Sequence, residues 1–200
     1  MEDRILNTAL EQFLQNGIKG MSIAKLAGHL KISSKTFYKY YKNKEELLEA
    51  ALRYYHDQQY LKVKKLVESY PPHIAFYEIW KMAFLTEFNI NKAFFQDVSH
   101  YYPELGTKVN DTINTRFEDL VLELLTDGIK EGCFRKELVP TVVLIGIFVF
   151  YAAIITNQQF KGHSISHNDI LENTIFAYVK GLCTKEGLIQ LEEHINFYKI

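Results

Sequence analysis

Apolar residues recur every three to four positions along almost the whole chain, and no segment alternates apolar and polar residues as a half-buried strand does. This pattern predicts an all-α protein. The first helix covers residues 2–15, and Gly17 and Gly20 follow it where a left-handed residue normally ends a helix. We therefore expect the chain to turn sharply before a second helix begins.

Hydroxyl side chains mark the starts of the next two helices. Ser22 is a natural N-cap for a short second helix. Either Ser33 or Ser34 can cap a third helix, which is predicted to end near Tyr41. Three short helices in the first part of the chain predict a small helical head.

The fourth predicted helix begins after Asn43, an N-cap with Glu46 as its capping-box partner, and runs to about residue 69, where Pro71 and Pro72 stop it. Six further helices are predicted at about residues 73–88, 92–102, 104–131, 140–159, 168–184 and 186–198. The chain therefore divides into a three-helix head, residues 1–46, and a larger helical body, residues 47–200.

Composition limits the class of protein without defining its function. Apolar residues make up 48% of the 200 residues, and 23 basic residues nearly balance 24 acidic ones, so bulk charge favours no polyanion. The longest apolar run, residues 142–155, is shorter than the roughly 17 residues that a membrane span needs. With no signal peptide before the first helix, we expect no membrane partner and a cytoplasmic location. Cys133 and Cys183 are isolated, which predicts buried free thiols.

Local charge differs from the bulk charge. Residues 31–44 read KISSKTFYKYYKNK, and residues 19–44 contain seven lysines and neither Asp nor Glu. A charge run most often only solvates a surface, but a basic patch in a neutral protein also fits phosphate. Whether these lysines only solvate a surface or bind phosphate depends on how their side chains are arranged.

A helical wheel of the third helix separates two faces. Phe37 and Tyr41 lie four residues apart and face inward with Leu30 and Ile32. The outward face and its flanks carry hydroxyl, phenol and ammonium groups: Ser34, Lys35, Thr36, Tyr38 and Tyr40. Lysine and hydroxyl groups donate hydrogen bonds to phosphate oxygens, and a tyrosine ring can contact a thymine methyl group. The two short helices therefore fit a helix-turn-helix with double-stranded DNA as its partner.

Three segments within residues 4–52 carry a family resemblance: RILNTALEQFLQNG, SIAKLAGHLKIS and SKTFYKYYKNKEELLEA. In helix lengths and turn positions they resemble the N-terminal domain of the TetR family of bacterial transcriptional regulators. EGCFRKELVP, at residues 131–140, more weakly resembles the junction before the dimerisation helix of that family. The resemblance implies an N-terminal helix-turn-helix domain and a larger helical domain for ligand binding and dimerisation. It further implies a ligand-responsive regulator, commonly a repressor released from a palindromic operator.

By position in that family, the residues implied to hold phosphates are Ser22, Thr36, Tyr38 and Lys44, the last at a helix start that already favours an anion. The residues implied to read bases are Ser34, Lys35 and Tyr40, and Lys25 and Lys39 add positive charge to the same surface.

Three positions depart from the pattern of the family. Lys31 stands where the turn commonly has glycine, and a positive φ there would cost about 1 kcal/mol. Ala24 stands where a basic or polar side chain is common, and Lys39 where an aromatic one is common. The operator sequence is therefore not transferable from the resemblance.

The predicted helix at residues 140–159 is apolar nearly all round, which is more than one core face requires. It could be the central helix of a monomeric core, but the resemblance favours a four-helix interface between two copies, formed with the helix at residues 168–184. The side chains assigned to this homodimer interface are Val143, Ile147, Phe150, Ile154, Ile175, Tyr178, Val179 and Leu182.

The resemblance also implies a small-molecule effector bound in the body. Aromatic side chains at helical spacing are more often core than cavity, so the polar groups among them are the better guide. The residues assigned to a pocket for a small hydrophobic or aromatic effector are Trp80, Phe84, Glu87, Phe88, Asp97, His100, Tyr101, Phe117, Tyr151 and Asn157.

Motifs for catalysis are missing from the sequence, which has no GxSxG, no HExxH and no phosphate-binding glycine loop. We therefore expect no enzymatic activity, no metal site and no cofactor. The alternative to a DNA-binding regulator is a helical ligand-binding or adaptor protein that does not read DNA. The outward face of residues 34–40 argues against that alternative.

Overall fold

The computed structural model describes residues 1–156 and 164–197, except for the side chains of residues 87–89, 110–114 and 156. The chain is all-α, as predicted. Its helices are α1 (Glu2–Asn16), α2 (Ile23–Leu30), α3 (Ser34–Phe37), α4 (Lys44–Ser69), α5 (Pro72–Asn89), α6 (Ala93–Tyr101), α7 (Pro103–Lys130), α8 (Pro140–Thr156), α9 (His167–Leu171), α10 (Ala177–Leu182) and α11 (Lys185–Phe197). A π-helical turn, Glu172–Phe176, joins α9 to α10 without a break.

The first two N-caps of the head have the expected geometry. The Ser22 hydroxyl accepts the backbone N–H of Lys25 at 3.2 Å, and the Ser33 hydroxyl accepts that of Thr36 at 3.0 Å. Ser33, rather than Ser34, is therefore the cap of α3. These bonds satisfy helix N–H groups that have no partner within the helix, and they fix where α2 and α3 begin.

The third helix is shorter than predicted. It ends at Phe37 and not near Tyr41, because the next backbone bonds close tighter turns: Lys39 donates to Thr36 and Tyr40 donates to Phe37, each across three residues. Bonds of this kind wind the chain more tightly than an α-helix. Tyr38 and Tyr40 consequently lie on a hydrogen-bonded turn beyond the helix.

The start of α4 is capped by Asn43, whose side-chain oxygen accepts the backbone N–H of Glu46 at 2.8 Å. The Glu46 carboxylate does not return this bond to Asn43 as a capping box would. It accepts the backbone N–H of Lys42 at 2.6 Å instead. The carboxylate thus ties the turn before α4 to the helix itself.

Two compact units make up the chain, and they do not follow the predicted boundary at residue 46. The first unit contains Met1–Leu61 and Phe88–Thr115, and the second contains Lys62–Glu87 and Arg116–Ile200. The core of the first unit is built from α1 to α4 together with α6 and the start of α7. Residues 1–46 therefore share their core with α6, and their status as a separate functional domain stays a prediction.

The second unit buries large aromatic side chains from α5 and the segments that follow, among them Phe76, Trp80, Phe134 and Phe176. Cys133 and Cys183 are buried free thiols, as predicted, and burial raises the pKa of the Cys183 thiol to about 12. Within the ranges that the structure describes, no helix is both long and apolar enough to span a membrane.

Candidate nucleic-acid interface

The face presented by α3 and the following turn agrees with the wheel drawn from the sequence. Phe37 and Tyr41 are buried, with their ring centroids 5.9 Å apart, and anchor the segment in the core of the first unit. The exposed fractions of the Tyr38 and Tyr40 side chains are 54% and 38%. Ser34 and Lys35 are also exposed. The inward aromatic pair therefore holds a polar and aromatic outer surface in place.

The turn that joins α2 to α3 contains the strained residue that the sequence predicts. Lys31 adopts φ 55° and ψ 43°, the left-handed conformation, and so ends α2. The N–H of Lys31 bonds to the carbonyl of Gly28 at 3.1 Å, and that of Ile32 to the carbonyl of Ala27 at 3.0 Å. A lysine in place of glycine costs about 1 kcal/mol here, which these backbone bonds offset.

The four lysines of the head that are assigned to DNA binding fall into two groups. Lys35 and Lys39 are exposed, and neither forms an ion pair with any residue that the structure describes. Lys25 and Lys44 are tied back to the protein, since their ammonium groups donate to the carbonyls of Gly20 and Ile18. The first group is fully available to a phosphate or a base edge.

Lys44 is less free than its assignment to a phosphate implies. The side chain is half-buried, and desolvation lowers the pKa of its ammonium group, with a smaller opposing effect from Asp97. An ammonium group has three N–H donors, of which the Ile18 carbonyl takes one. Two donors remain for a phosphate, so the assigned role stays a prediction.

Ser22 and Thr36 are also engaged within the head. The Ser22 hydroxyl caps α2, and the Thr36 hydroxyl lies 2.9 Å from the Ser33 hydroxyl. Each oxygen bears one proton and two lone pairs, so a cap bond leaves the proton of Ser22 free to donate. Both residues keep the capacity that a phosphate contact requires.

Asp97 of α6, one of the residues assigned to the effector pocket, instead contacts the turn that follows α1. One oxygen of its carboxylate accepts the backbone N–H groups of Ile18 and Lys19, each at 2.7 Å. Gly17 has φ 73°, and a Cβ atom there would lie 3.0 Å from that same oxygen and 3.0 Å from the Cβ of Ala93. We call these contacts the Asp97 clamp. They require glycine at position 17.

Further contacts support the clamp. The Asn91 side chain donates to the carbonyl of Gln15 at 2.8 Å, and the Asn91 backbone N–H donates to the carbonyl of Leu14 at 3.1 Å. The Lys19 ammonium group lies 5.3 Å from the centre of the Tyr101 ring. The segment from Asn91 to α6 therefore holds the end of α1.

The other two pocket residues assigned to α6 also lie at the surface of the first unit. Tyr101 is 45% exposed and faces Lys19. His100 is exposed and stacks edge-on against Tyr101, with ring centroids 4.6 Å apart. In the structure, Asp97 is bonded to backbone donors, and His100 and Tyr101 lie at the surface, so their assignment to the effector pocket stays a prediction.

Four of the assigned pocket residues meet in the second unit or contribute to its core. Trp80 lies 5.5 Å from Tyr151 and 5.3 Å from Phe148, which is itself 5.9 Å from Phe117. Phe84 is fully buried. We call Trp80, Phe117, Phe148 and Tyr151 the aromatic cluster. The side chains of Glu87 and Phe88, and the whole of Asn157, lie outside the described residues.

Two polar groups of the aromatic cluster differ in their bonding. The Tyr151 hydroxyl donates to the carbonyl of Ala83 at 3.0 Å. The indole N–H of Trp80 is buried and has no hydrogen-bond partner in the described part of the chain. A buried donor without a partner costs about 1–3 kcal/mol, so this N–H is suited to a ligand that brings an acceptor.

Most residues assigned to the homodimer interface pack inside the second unit. Phe150 and Tyr178 are half-buried, with ring centroids 6.0 Å apart. The remaining six are buried within the unit, and their assignment to the interface stays a prediction: Val143, Ile147, Ile154, Ile175, Val179 and Leu182. Val142, Ile145 and Val149, exposed by 65%, 59% and 66%, form an exposed apolar face of α8.

Among the residues that the structure describes, no three His, Cys, Asp or Glu side chains lie close enough together to hold a metal ion. The expectation of no metal, no cofactor and no catalysis stays a prediction.

Comparison with known proteins supports the family resemblance in the head. Residues 5–51 match the family of bacterial regulatory proteins called the tetR family. An uncharacterised helix-turn-helix transcriptional regulator of Bacillus subtilis, YuxN, is 39% identical over 62 residues. That match covers 31% of this chain and 21% of YuxN, so it spans about a fifth of the relative.

Solved structures extend the similarity of fold to most of the chain. The reduced form of E. coli NemR matches with a TM-score of 0.74 at 17% identity, over 92% of this chain and 96% of NemR. A TetR/AcrR regulator from Thermobifida fusca has a TM-score of 0.69 at 18% identity, covering 90% and 97% of the two chains. Bacillus subtilis FadR in complex with stearoyl-CoA has a TM-score of 0.66 at 18% identity, covering 91% and 100%.

The fold and the outward face of α3 define a helical protein with an N-terminal helix-turn-helix segment followed by a larger helical part. Residues 5–51 are similar to the tetR family of bacterial regulatory proteins.

Proposed function

We propose that this protein is a ligand-responsive transcriptional regulator, a homodimer that represses from a palindromic operator and is released by a small hydrophobic or aromatic effector. The observation that carries the proposal is the exposed surface of Lys35, Tyr38 and Tyr40, held outward by the buried pair Phe37 and Tyr41. Such a surface is a poor core and a good match to a DNA groove. Reading chromosomal DNA would place the protein in the cytoplasm.

The proposed contacts divide into positioning and reading. Phosphate contacts come from side chains with an N–H or O–H donor free for a ligand: Ser22, Thr36, Tyr38 and Lys44. Base reading comes from the exposed outer surface: Ser34, Lys35 and Tyr40. Lys25 and Lys39 add positive charge that strengthens the electrostatic attraction of this surface to DNA. In a dimer, we expect the two α3 segments to lie about 34–36 Å apart, one helical turn of DNA.

The proposed dimer forms through the exposed face of α8. Val142, Ile145 and Val149 recur at helical spacing on one side of the helix, and a row of exposed aliphatic residues is costly to leave in water. The end of α10 supports this choice, since Gly181 is exposed with open space where a side chain would be. A partner helix could approach closely at that point. A symmetric dimer would pair the α8 face of each copy with that of the other.

The proposed effector binds at the aromatic cluster and carries a hydrogen-bond acceptor. The support comes from the unpaired indole N–H of Trp80 among apolar rings. Bacillus subtilis FadR, of similar fold, was solved with stearoyl-CoA, whose acyl chain and carbonyl combine these two properties. The acceptor would remove the cost of the buried donor, and the rings would bind the apolar part.

Replacing Lys35 by Ala should change base preference, and replacing Lys44 by Ala should weaken binding to all duplexes alike. For Lys44→Ala, the slope of log affinity against log salt concentration should fall in magnitude by about one, which is the contribution of one phosphate contact. Fluorescence anisotropy on a panel of duplexes that differ in sequence, each at several salt concentrations, measures the base preference, the affinity and the salt slope.

Lys185→Ala is the matched control, because Lys185 is exposed at the start of α11, outside the head. An unchanged affinity and salt slope in Lys44→Ala would remove Lys44 from the proposed phosphate contacts. No salt-dependent binding by the unmodified protein would favour the adaptor alternative.

Replacing Val149 by Glu should convert the dimer to a monomer, because it would place two carboxylates in the apolar interface. Sedimentation velocity of the full chain measures the change. Ile189→Glu is the control, since Ile189 is a similarly exposed aliphatic residue, 50% exposed, on a different helix, α11. If Val149→Glu sediments as the unmodified protein does, α8 is not the interface.

Replacing Trp80 by Phe removes the indole N–H donor. The variant should therefore no longer distinguish two effectors of which only one carries a hydrogen-bond acceptor. We expect a hydrophobic ketone to raise the melting temperature of the unmodified protein more than the hydrocarbon of the same size does. In Trp80→Phe the two should stabilise equally. Thermal unfolding across a panel of such pairs measures the difference, and a panel without any stabilising compound would contradict the proposed effector class.

A further inference from the structure

A groove in the first unit, separate from the aromatic cluster, has the properties of a small-molecule site. It lies between α4, α6 and the start of α7 and has a volume of about 310 Å³. This is near the lower end of volumes for small-molecule pockets, roughly 300–1,000 Å³, and has room for a single-ring compound. We call it the α4–α6 groove, lined by Leu52, His56, Phe95, Val98, Ser99 and Thr107.

The apolar part of the groove favours a flat ring. Leu52 and Val98 are buried and form its floor, while Phe95 is half-buried. The Phe95 ring lies 5.0 Å from Phe94 and 6.4 Å from Tyr55, with both contacts edge-on. Such a stack of aromatic rings can be extended by one more ring at its uncovered side.

The hydroxyl groups of the groove act as acceptors toward a ligand. Ser99 donates its hydroxyl proton to the carbonyl of Gln96 at 3.1 Å, and Thr107 donates its proton to the carbonyl of Pro103 at 3.0 Å. A hydroxyl group has a single proton, so only its lone pairs remain for a ligand. The ligand must therefore supply the donor.

The imidazole of His56 adds a stronger acceptor. It makes no hydrogen bond to any residue of the described ranges. Burial lowers the pKa of the imidazole, against a smaller raising effect of Asp57, and so favours the neutral ring. A neutral imidazole has one protonated nitrogen and one bare nitrogen that accepts. Among the residues of the lining that the structure describes, none is Asp, Glu, Lys or Arg, so none of them favours a charged ligand.

We propose that the α4–α6 groove binds a small neutral aromatic molecule with one hydrogen-bond donor, of which a phenol is the simplest example. The ring would pack on Phe95 and Val98, and its donor would bond to the bare nitrogen of His56 or to the hydroxyl oxygens beside it. The site is independent of the proposed DNA-binding function, and its test involves no DNA.

The test uses the full chain and two probes of nearly equal shape, 4-fluorophenol and 4-fluorotoluene, titrated by fluorine NMR. We expect 4-fluorophenol to bind about fivefold more tightly, because it alone offers a donor. His56→Phe keeps an aromatic ring and removes the acceptor, so the ratio of the two affinities should fall to about one. Equal binding of the two probes to the unmodified protein, or no saturable binding of 4-fluorophenol, would overturn the proposal.

A second pair of variants keeps the test valid if His56→Phe fails to fold. Thr107→Val replaces the hydroxyl by a methyl group of similar size at an exposed position and should weaken 4-fluorophenol by about threefold or more. Thr126→Val is the matched control, because the Thr126 hydroxyl also donates to a carbonyl of α7, that of Leu122, but outside the groove. If Thr107→Val and Thr126→Val both bind 4-fluorophenol as tightly as the unmodified protein does, the compound binds outside the α4–α6 groove and the proposal is contradicted.

Discussion

The carboxylate of Asp97 accepts two backbone N–H bonds from the turn between α1 and α2, and the geometry of the head depends on this contact. The N–H groups of a turn have no partner of their own, and a carboxylate that accepts them forms short, charge-assisted bonds. Asp97 lies 79 residues after Ile18, so the contact joins distant parts of the chain. Gly17 makes it possible, because a side chain there would meet both Asp97 and Ala93.

The same turn is also held by Lys44. Its ammonium group donates to the carbonyl of Ile18, while Asp97 accepts the N–H of that residue, so both backbone groups of Ile18 are bonded to side chains. Lys25 makes a similar contact, since its ammonium group donates to the carbonyl of Gly20. Lys25 and Lys44 therefore both stabilise the fold of the head. Lys35 and Lys39 remain for the surface of α3. The basic patch is thus divided between lysines that bond to the turns of the head and lysines that stay exposed, a division that charge counting cannot reveal.

Local signals predicted the head well because its elements are defined by neighbours in sequence. The caps at Ser22 and Asn43, the inward pair Phe37 and Tyr41, and the positive φ of Lys31 all depend on residues within a few positions. The early end of α3 was missed because three-residue turns follow it with no proline or glycine to mark them.

The body was less predictable for two physical reasons. Because α8 is apolar nearly all round, its pattern could not show that Ile147 faces the core while Val149 faces outward. A carboxylate among aromatic residues resembles a ligand contact, so the sequence favours a pocket for Asp97. The backbone N–H groups that Asp97 bonds belong to a distant turn and have no side-chain pattern. The glycine at position 17 is the available signal, but in a sequence it indicates only the end of α1.

The Asp97 clamp is tested most directly by hydrogen exchange of the Ile18 and Lys19 amides, measured by NMR in the full chain and in Asp97→Ala. The account predicts that both amides are protected in the unmodified protein. Loss of charge-assisted bonds worth about 1.5–3 kcal/mol should speed their exchange by about tenfold or more. The amide of Phe13, within α1, should exchange as before, and Gln96→Ala, an exposed neighbour on α6, should leave all three unchanged. Unprotected amides in the unmodified protein, or equal rates in Asp97→Ala, would contradict the account.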